Sequence, residues 1–239
     1  MKFKSQIITQ GSGSIGGITY SHNSSGLYQR ARAIPVNPNS TFQVQIRAAF
    51  TTLVNRWSSV LTPAQRAAWE LYALNVPVTN TLGDPILLSG QNWYIGNNSV
   101  VLQAQSKGFG STAIVDTAPT TFDRGDFTTP TVTSDVSTGT TVNVTTTDAW
   151  ASDDGAAMLI WQGLPTNASR NFFNGPWRLI GELAGDSTTP PSTLTITPAQ
   201  LASRGYAYAA GQRVYYYFRV ARGDGRLSSR QQVSTDAVA

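Results

Sequence analysis

Three glycines near the start of the chain, in the stretch QGSGSIGGITY (residues 10–20), have a spacing that could hold a nucleotide phosphate. Gly11, Gly13 and Gly16 follow the pattern G-x-G-x-x-G, which in dinucleotide-binding folds leads into a helix whose N-terminus binds the pyrophosphate. The residues that follow here, GITYS, have the character of a strand, and no acidic residue that could bind a ribose occurs before Glu70. We therefore expect no nucleotide site, and interpret the glycines as places where the backbone turns sharply or lies flat on another surface.

Side chains that could catalyse a reaction are few and scattered. His22 is the single histidine, the chain has no cysteine, and its glutamates are Glu70 and Glu182. Nucleophilic catalysis needs a base beside a serine or threonine, and glycoside hydrolysis needs two facing carboxylates. The sequence indicates neither arrangement, and Asp153 and Asp154 lack the spaced ligands of a calcium loop. We therefore expect no enzyme activity, metal, cofactor or small-molecule substrate.

Two aromatic residues of the C-terminal half could face a ligand. Phe172 and Phe173 lie in WQGLPTNASRNFFNGPW (residues 161–177), a loop-like stretch in which exposed rings could stack on a sugar. Trp161, which opens the same stretch, is expected in a core instead.

An Arg-Gly-Asp tripeptide at Arg222–Asp224 could also face a ligand, because receptors can recognise this sequence. The tripeptide occurs a second time at residues 124–126. Turn chemistry explains both copies as well, since Gly-Asp and Asp-Gly pairs are common turn formers.

Positive charge is concentrated at the front of the chain. Residues 1–69 hold seven lysines and arginines and no acid, and charged residues make up only 13% of the 239-residue chain. A segment of one sign favours an acidic partner, either protein or nucleic acid. Tyr28, Arg30 and Arg32 could contact phosphates and bases, but the segment is short, so we expect protein docking and no nucleic acid.

No apolar run approaches the ~18 residues of a membrane span, and the N-terminal stretch MKFKSQIITQGSGS has no apolar core of a secretory signal. We therefore expect synthesis in the cytoplasm and no membrane partner.

The first part of the chain is predicted to be an extended docking arm, residues 1–38, followed by a helical hairpin domain, residues 39–105. In the arm, GGITYSH and GLYQRARAI indicate two strands that form a hairpin around NSSG. In the helical domain, Thr62 is expected to cap the second helix, with Pro63 at its first position and Gln65 closing a capping box. A third helix is expected to begin after Ser89.

The chain changes character after a predicted linker at residues 106–125. Residues 126–239 contain seven short runs of β-branched and aromatic residues: TPTVTSD, TTVNVTTT, AAMLIWQGL, WRLIGELA, STLTITP, RVYYYFRVA and LSSRQQVST. Such a series is typical of a β-sandwich. The stretch from TITPAQLAS to RGDGRLSS resembles strands E, F and G of a fibronectin type III-like domain, with Tyr215 or Tyr217 near the tyrosine corner. This resemblance implies an immunoglobulin/fibronectin III-like all-β sandwich.

The front third, GSGSIGGITYSHNSSGLYQRARAIPVNPNS followed by TPAQRAAWELYA, resembles uncharacterised proteins of bacteriophages and prophage regions. The resemblance covers about residues 11–75 and carries no catalytic residues. It implies a structural virion protein, either a capsid decoration or a tail component, assembled in the host cytoplasm with other virion proteins or copies of itself. The residues expected to dock are Gly13, Gly16, Gly17, Tyr20, Tyr28, Arg30 and Arg32.

These features predict an α+β multidomain fold with an extended arm, an αα-hairpin and an immunoglobulin/fibronectin III-like sandwich. The alternative function is a carbohydrate- or host-receptor-binding module that acts through sandwich loops at Phe172, Phe173, Arg222 and Asp224. Deletion of the arm and mutation of these loops would distinguish the two functions.

Overall fold

The computed structural model describes residues 12–23, 26–34, 36–80, 83–110 and 113–239. These residues form helices and antiparallel sheets, so the fold is mixed α+β, as the sequence predicts. The chain divides into two compact units, residues 1–40 and residues 41–239. None of the helices in the described ranges is long and apolar enough to cross a bilayer.

The first unit contains a three-stranded antiparallel sheet of β1 (Gly13–Ile15), β2 (Ile18–Asn23) and β3 (Gly26–Ala31), in that order. The hairpin expected in the arm is confirmed as β2 and β3, whereas β1 is an additional strand. Gly16, between β1 and β2, has a φ of +55°, which glycine adopts without steric cost. The glycine pattern therefore builds a turn between strands, and no helix follows it; Gly11 lies outside the described residues.

The second unit begins with three helices, α1 (Thr41–Ser59), α2 (Pro63–Asn75) and α3 (Gly90–Gln105). A short ribbon of β4 (Val78–Thr79) and β5 (Pro85–Ile86) connects α2 to α3. The predicted start of α2 is confirmed: the Gln65 N–H donates to the Thr62 hydroxyl, and the Thr62 N–H donates to the Gln65 side chain at 2.9 Å. Ser89 caps α3, as expected.

Aromatic side chains hold the three helices together. Trp69 meets the edges of Tyr72 and Tyr94, with ring centroids 5.8 and 5.6 Å apart, and Tyr72 also meets Trp93 at 5.4 Å. All four rings are at most 4% exposed, and Leu53 of α1 is fully buried beside them. Rings of this size contribute large apolar areas, so the helices form a core of their own.

The segment expected to be a linker has no helix or strand among its described residues, yet it packs on the helices. The Asp116 carboxylate accepts hydrogen bonds from Arg56 Nε at 3.2 Å and from the Tyr94 hydroxyl at 2.8 Å. The Trp69 indole N–H donates to the carbonyl oxygen of Asp116 at 2.9 Å. This part of the chain is therefore fixed by specific contacts and does not behave as a free spacer.

The rest of the second unit forms two antiparallel sheets. In chain order the elements are β6 (Thr131–Asp135), β7 (Gly139–Asn143), β8 (Ala157–Gly163), β9 (Thr166–Asn167), β10 (Trp177–Ala184), β11 (Thr193–Ile196), α4 (Pro198–Ser203), β12 (Gln212–Ala221) and β13 (Gln231–Asp236). The smaller sheet has the order β11-β7-β6; the larger has the order β10-β8-β12-β13, with β9 also paired to β12. All seven predicted strands are confirmed, whereas β9 and α4 were not expected.

The two sheets share one buried core, to which both contribute apolar side chains. Tyr216 of β12 joins them: its hydroxyl lies 2.8 Å from Ser134 Oγ of β6 and 2.9 Å from Thr140 Oγ1 of β7. Burial raises the pKa of Tyr216, so the hydroxyl stays protonated and available as a donor.

The opposite face of the larger sheet packs on helix α3. Leu159 and Trp161 of β8 form a buried cluster with Val100, Val101 and Ala104 of α3. The expectation that Trp161 is buried is confirmed, since it is 2% exposed. Its expected place in the core between the sheets is wrong, because strand alternation turns it toward the helices.

Candidate docking surfaces

The described strands of the first unit bury none of their side chains. Every side chain that is described between residues 12 and 40 is exposed or half-buried, and Ile15 and Ile18 are 78% and 41% exposed. A three-stranded sheet is stable in water when one of its faces packs on something apolar. The described residues of this sheet therefore form no interior of their own.

The seven residues expected to dock all lie on this sheet or at its margins. They are Gly13 on β1, Gly16 and Gly17 in the following turn, Tyr20 on β2, Tyr28 and Arg30 on β3, and Arg32 directly after β3. Strand register divides them between two faces: Tyr28 and Arg30 lie on one face, whereas Tyr20 lies opposite Gln29 on the other. A flat partner surface would contact one set, whereas a partner that covers both faces or extends the sheet at its edge would contact both.

Helix α1 presents a second apolar surface. Phe42, Ile46, Phe50 and Leu53 recur at helical spacing along it. Leu53 is fully buried, whereas Phe42, Ile46 and Phe50 are 47%, 40% and 55% exposed. These three side chains, here called the α1 stripe, lie in line with the buried Leu53 along the helix but are exposed to solvent.

Large apolar side chains that face solvent are concentrated toward the N-terminus. Of the 18 found in the described parts of the chain, eight lie between residues 15 and 50. Exposed apolar side chains are ordinary when they are scattered, whereas a concentration of them marks an interaction surface. Four of the eight, Ile15, Ile18, Ile34 and Val36, lie in the first unit, and the other four, Phe42, Val44, Ile46 and Phe50, lie on α1.

Sequence periodicity identifies the apolar face of α1 but does not show which part of that face stays exposed. The available signal is length: α1 has 19 residues and α3, the helix it packs on, has 16, so the shorter helix cannot cover all of α1.

The two phenylalanines that were expected to face a ligand lie in the loop between β9 and β10, where they differ in burial. Phe172 is 72% exposed, whereas Phe173 is only 3% exposed, so the expectation that Phe173 is a surface residue is wrong. The Phe173 ring stacks on Tyr215 at 5.4 Å and meets the edge of Trp177 at 4.8 Å. Gly163 makes room for it, because a Cβ there would lie 2.2 Å from the ring.

Arg222 and Asp224 lie between β12 and β13, where both are engaged within the fold. The Asp224 carboxylate pairs with Arg226 Nε at 2.8 Å. Arg222 is half-buried, and its Nε is shielded from solvent without a hydrogen-bond partner. It packs beside Gly125 of the other Arg-Gly-Asp tripeptide, so the two copies lie side by side. Arg222 and Asp224 are therefore held by packing and by an ion pair within the fold.

The four residues expected to face a ligand do not form one site. Phe173 packs on Tyr215 near the start of β12, whereas Arg222 follows the end of that strand. Seven residues of extended strand span roughly 23 Å. The phenylalanine loop and the Arg-Gly-Asp turn are thus separate surfaces.

Comparisons of the chain with protein-family models, with curated proteins and with solved structures find no match. Function is therefore inferred from the surfaces described above.

Proposed function

We propose that the protein is a structural component of a bacteriophage-type virion, a capsid decoration or tail protein, whose first unit docks on neighbouring subunits. The observation that carries this proposal is that no described side chain between residues 12 and 40 is buried. A sheet without an interior gains stability when it packs on a neighbour or adds its strands to a neighbour's sheet. The resemblance of residues 11–75 to bacteriophage proteins supports a virion as the place of assembly.

The distribution of charge favours docking of one copy on another in a head-to-tail manner. Residues 1–69 carry seven bases and no acid, whereas residues 70–239 carry ten bases and thirteen acids. Two basic segments repel each other, but a basic segment of one copy is attracted by the more acidic remainder of the next. Head-to-tail contacts form rings when the rotation closes and filaments when it does not. On the second unit, the α1 stripe offers apolar area for a contact with a neighbouring copy.

We further propose that residues 126–239 form the fibronectin III-like sandwich expected from the sequence. With the strands lettered in chain order and β10 taken as C′, the smaller sheet has the order E-B-A and the larger the order C′-C-F-G. The shared core between the sheets supports this assignment. Helix α4 between strands E and F, and the packing of α3 on the outer face, are additions to that pattern. Such a domain could project from the particle while the arm anchors it.

The native mass of the full chain, compared with that of a chain of residues 39–239, tests the assembly proposal. The shortened chain keeps both buried cores, so it should fold with an unchanged thermal midpoint and stay monomeric. The full chain should form large closed or filamentous species at the same concentration. A full chain that stays monomeric wherever the shortened chain does would contradict docking between copies.

A second candidate function is binding of a carbohydrate or host receptor, and the exposure of Phe172 favours it. This ring is 72% exposed on a loop held in place by the hydrogen bond from Arg170 Nε to the Phe172 carbonyl, at 2.7 Å. A glycan array probed with the full chain and with a Phe172→Ala variant tests this function. Loss of a glycan signal in the variant supports it, and the same signal in both proteins counts against this loop.

A further inference from the structure

Three arginines gather on the outer face of the larger sheet, near the turn between β12 and β13. Arg219 Nε lies 3.3 Å from the carbonyl oxygen of Ser228, and Arg124 Nη2 lies 3.5 Å from the same oxygen, at the outer limit for a hydrogen bond. Arg230 lies over the rings of Tyr217 and Trp177, 4.3 and 4.7 Å from their centroids. We call Arg124, Arg219 and Arg230 the arginine cluster.

Within the described parts of the chain, no carboxylate pairs with any member of the arginine cluster. The ion pairs formed there involve Arg56, Arg213 and Arg226 instead. On the same sheet face, Arg219 lies opposite Leu159, which lies opposite Glu182, so the backbones of Arg219 and Glu182 are two strands, roughly 10 Å, apart.

The acids of the neighbouring loops are already engaged. Asp123 and Asp224 both pair with Arg226. Asp126 accepts hydrogen bonds from the N–H and the hydroxyl of Ser229, at 3.0 and 2.6 Å. Counted with Arg222 and Arg226, the arginines around this turn outnumber these aspartates by five to three, so positive charge is in excess there.

Two of the three arginines are partly withdrawn from water, whereas Arg230 is exposed, and this partial burial raises the free-energy cost of the excess charge. Arg219 and Arg124 are half-buried, and Arg124 Nε has neither solvent nor a hydrogen-bond partner. Burial lowers the pKa of Arg219 to about 10, and the nearby charges of Arg124 and Arg230 act in the same direction. Buried cations of like sign are retained at a stability cost unless an anion compensates them.

We propose that Arg124, Arg219 and Arg230 form an oxyanion site that binds the carboxylate or phosphate group of a ligand. The planar guanidinium fork suits both groups, because each presents paired oxygens to parallel N–H donors. Arg230 covers the faces of Tyr217 and Trp177, so the site presents charge where an open aromatic platform would bind a sugar ring. This site is independent of the arm and stands whether or not the assembly proposal does.

Thermal unfolding of the full chain at pH 7 tests the site, with sodium phosphate, sodium acetate and sodium chloride compared at equal ionic strength. The midpoint should rise saturably with phosphate or acetate above its value in chloride. Arg219→Gln and Arg230→Gln should raise the anion concentration needed for half of this shift by at least about tenfold. Arg178→Gln is the matched control, since Arg178 is an exposed arginine 5.8 Å from the ring of Tyr206 and outside the cluster.

A second measurement compares the thermal midpoints of the variant and the unchanged protein in sodium chloride alone. Arg219→Met should keep or raise the midpoint there, because it removes an uncompensated charge from a half-buried position. A saturable shift with phosphate alone identifies a phosphate ligand, and one with acetate alone identifies a carboxylate. The proposal is overturned if neither anion exceeds chloride, or if the cluster variants and Arg178→Gln respond equally.

Discussion

Replacement of Phe50 by alanine is expected to weaken assembly more than it weakens the fold. Phe50 is 55% exposed on α1, so about 110 Å² of a side chain of roughly 200 Å² is left for a neighbour to cover. At about 25 cal/mol per Å², covering that area contributes about 3 kcal/mol, which corresponds to roughly a 100-fold change in Kd. The remaining 45% of Phe50, about 90 Å², is already covered within the fold and contributes about 2 kcal/mol at the same coefficient. Because alanine has the higher helix propensity, the free energy of unfolding of the separate chain should fall by no more than about 2 kcal/mol.

Sedimentation over a concentration series measures this effect on the full chain, with urea unfolding of the same samples as the measure of stability. Leu74→Ala is the control, because Leu74 is 63% exposed on α2 and lies outside the α1 stripe. The reasoning is refuted if both variants change the Kd of assembly equally. It also fails if Phe50→Ala lowers the free energy of unfolding by more than about 2 kcal/mol, since Phe50 would then be packed within the fold more fully than its exposure indicates.

Three further predictions concern the second unit. Tyr216→Phe removes the hydroxyl that joins the two sheets and should lower the free energy of unfolding in urea by about 1–3 kcal/mol; an unchanged midpoint would contradict that role. Gly90→Ala should lower the thermal midpoint, because its Cβ would lie 2.5 Å from a backbone nitrogen of α2, whereas Gly96→Ala, in open space on the same helix, should stabilise by about 0.5–1 kcal/mol. Equal effects of the two substitutions on the thermal midpoint would contradict the close approach of Gly90 to α2. Burial raises the pKa of Asp116, but hydrogen bonds from Arg56 and Tyr94 outweigh it, and the net pKa is lowered. This stabilisation is present at neutral pH and is lost as the pH falls from about 4 through the lowered pKa, so Asp116→Asn should have a flatter stability profile in acid; identical profiles would exclude the effect.

Short sequence signals predicted many of the helices and strands. The run of β-branched and aromatic residues RVYYYFRVA predicted β12, and Thr62, Pro63 and Gln65 predicted the start of α2, because strand and capping signals depend on neighbouring residues alone. Helix α4 was within reach of the same reasoning, since Thr197 opens it with the TPAQ sequence that also opens α2.

Features that depend on distant contacts could not be predicted in the same way. The sequence predicts that the side chain of Trp161 is buried. Whether the other sheet or a helix covers it depends on how α3 packs. Phe173 is buried because Gly163, ten residues earlier, leaves space for its ring. The arginine cluster brings together residues 95 positions apart or more, Arg124 with Arg219 and Arg230, and no spacing in the sequence indicates it.

The central claim, that the arm is stable only when docked, is tested most directly by hydrogen–deuterium exchange of the backbone amides of β2 and β3. In a dilute monomeric sample these amides should exchange with little protection, while the amides of β8 and β12 stay protected in their buried sheet. In the assembled sample the amides of β2 and β3 should become protected as well. Strong protection of β2 and β3 in the monomer would mean that the sheet is stable without a partner, and would contradict the docking account.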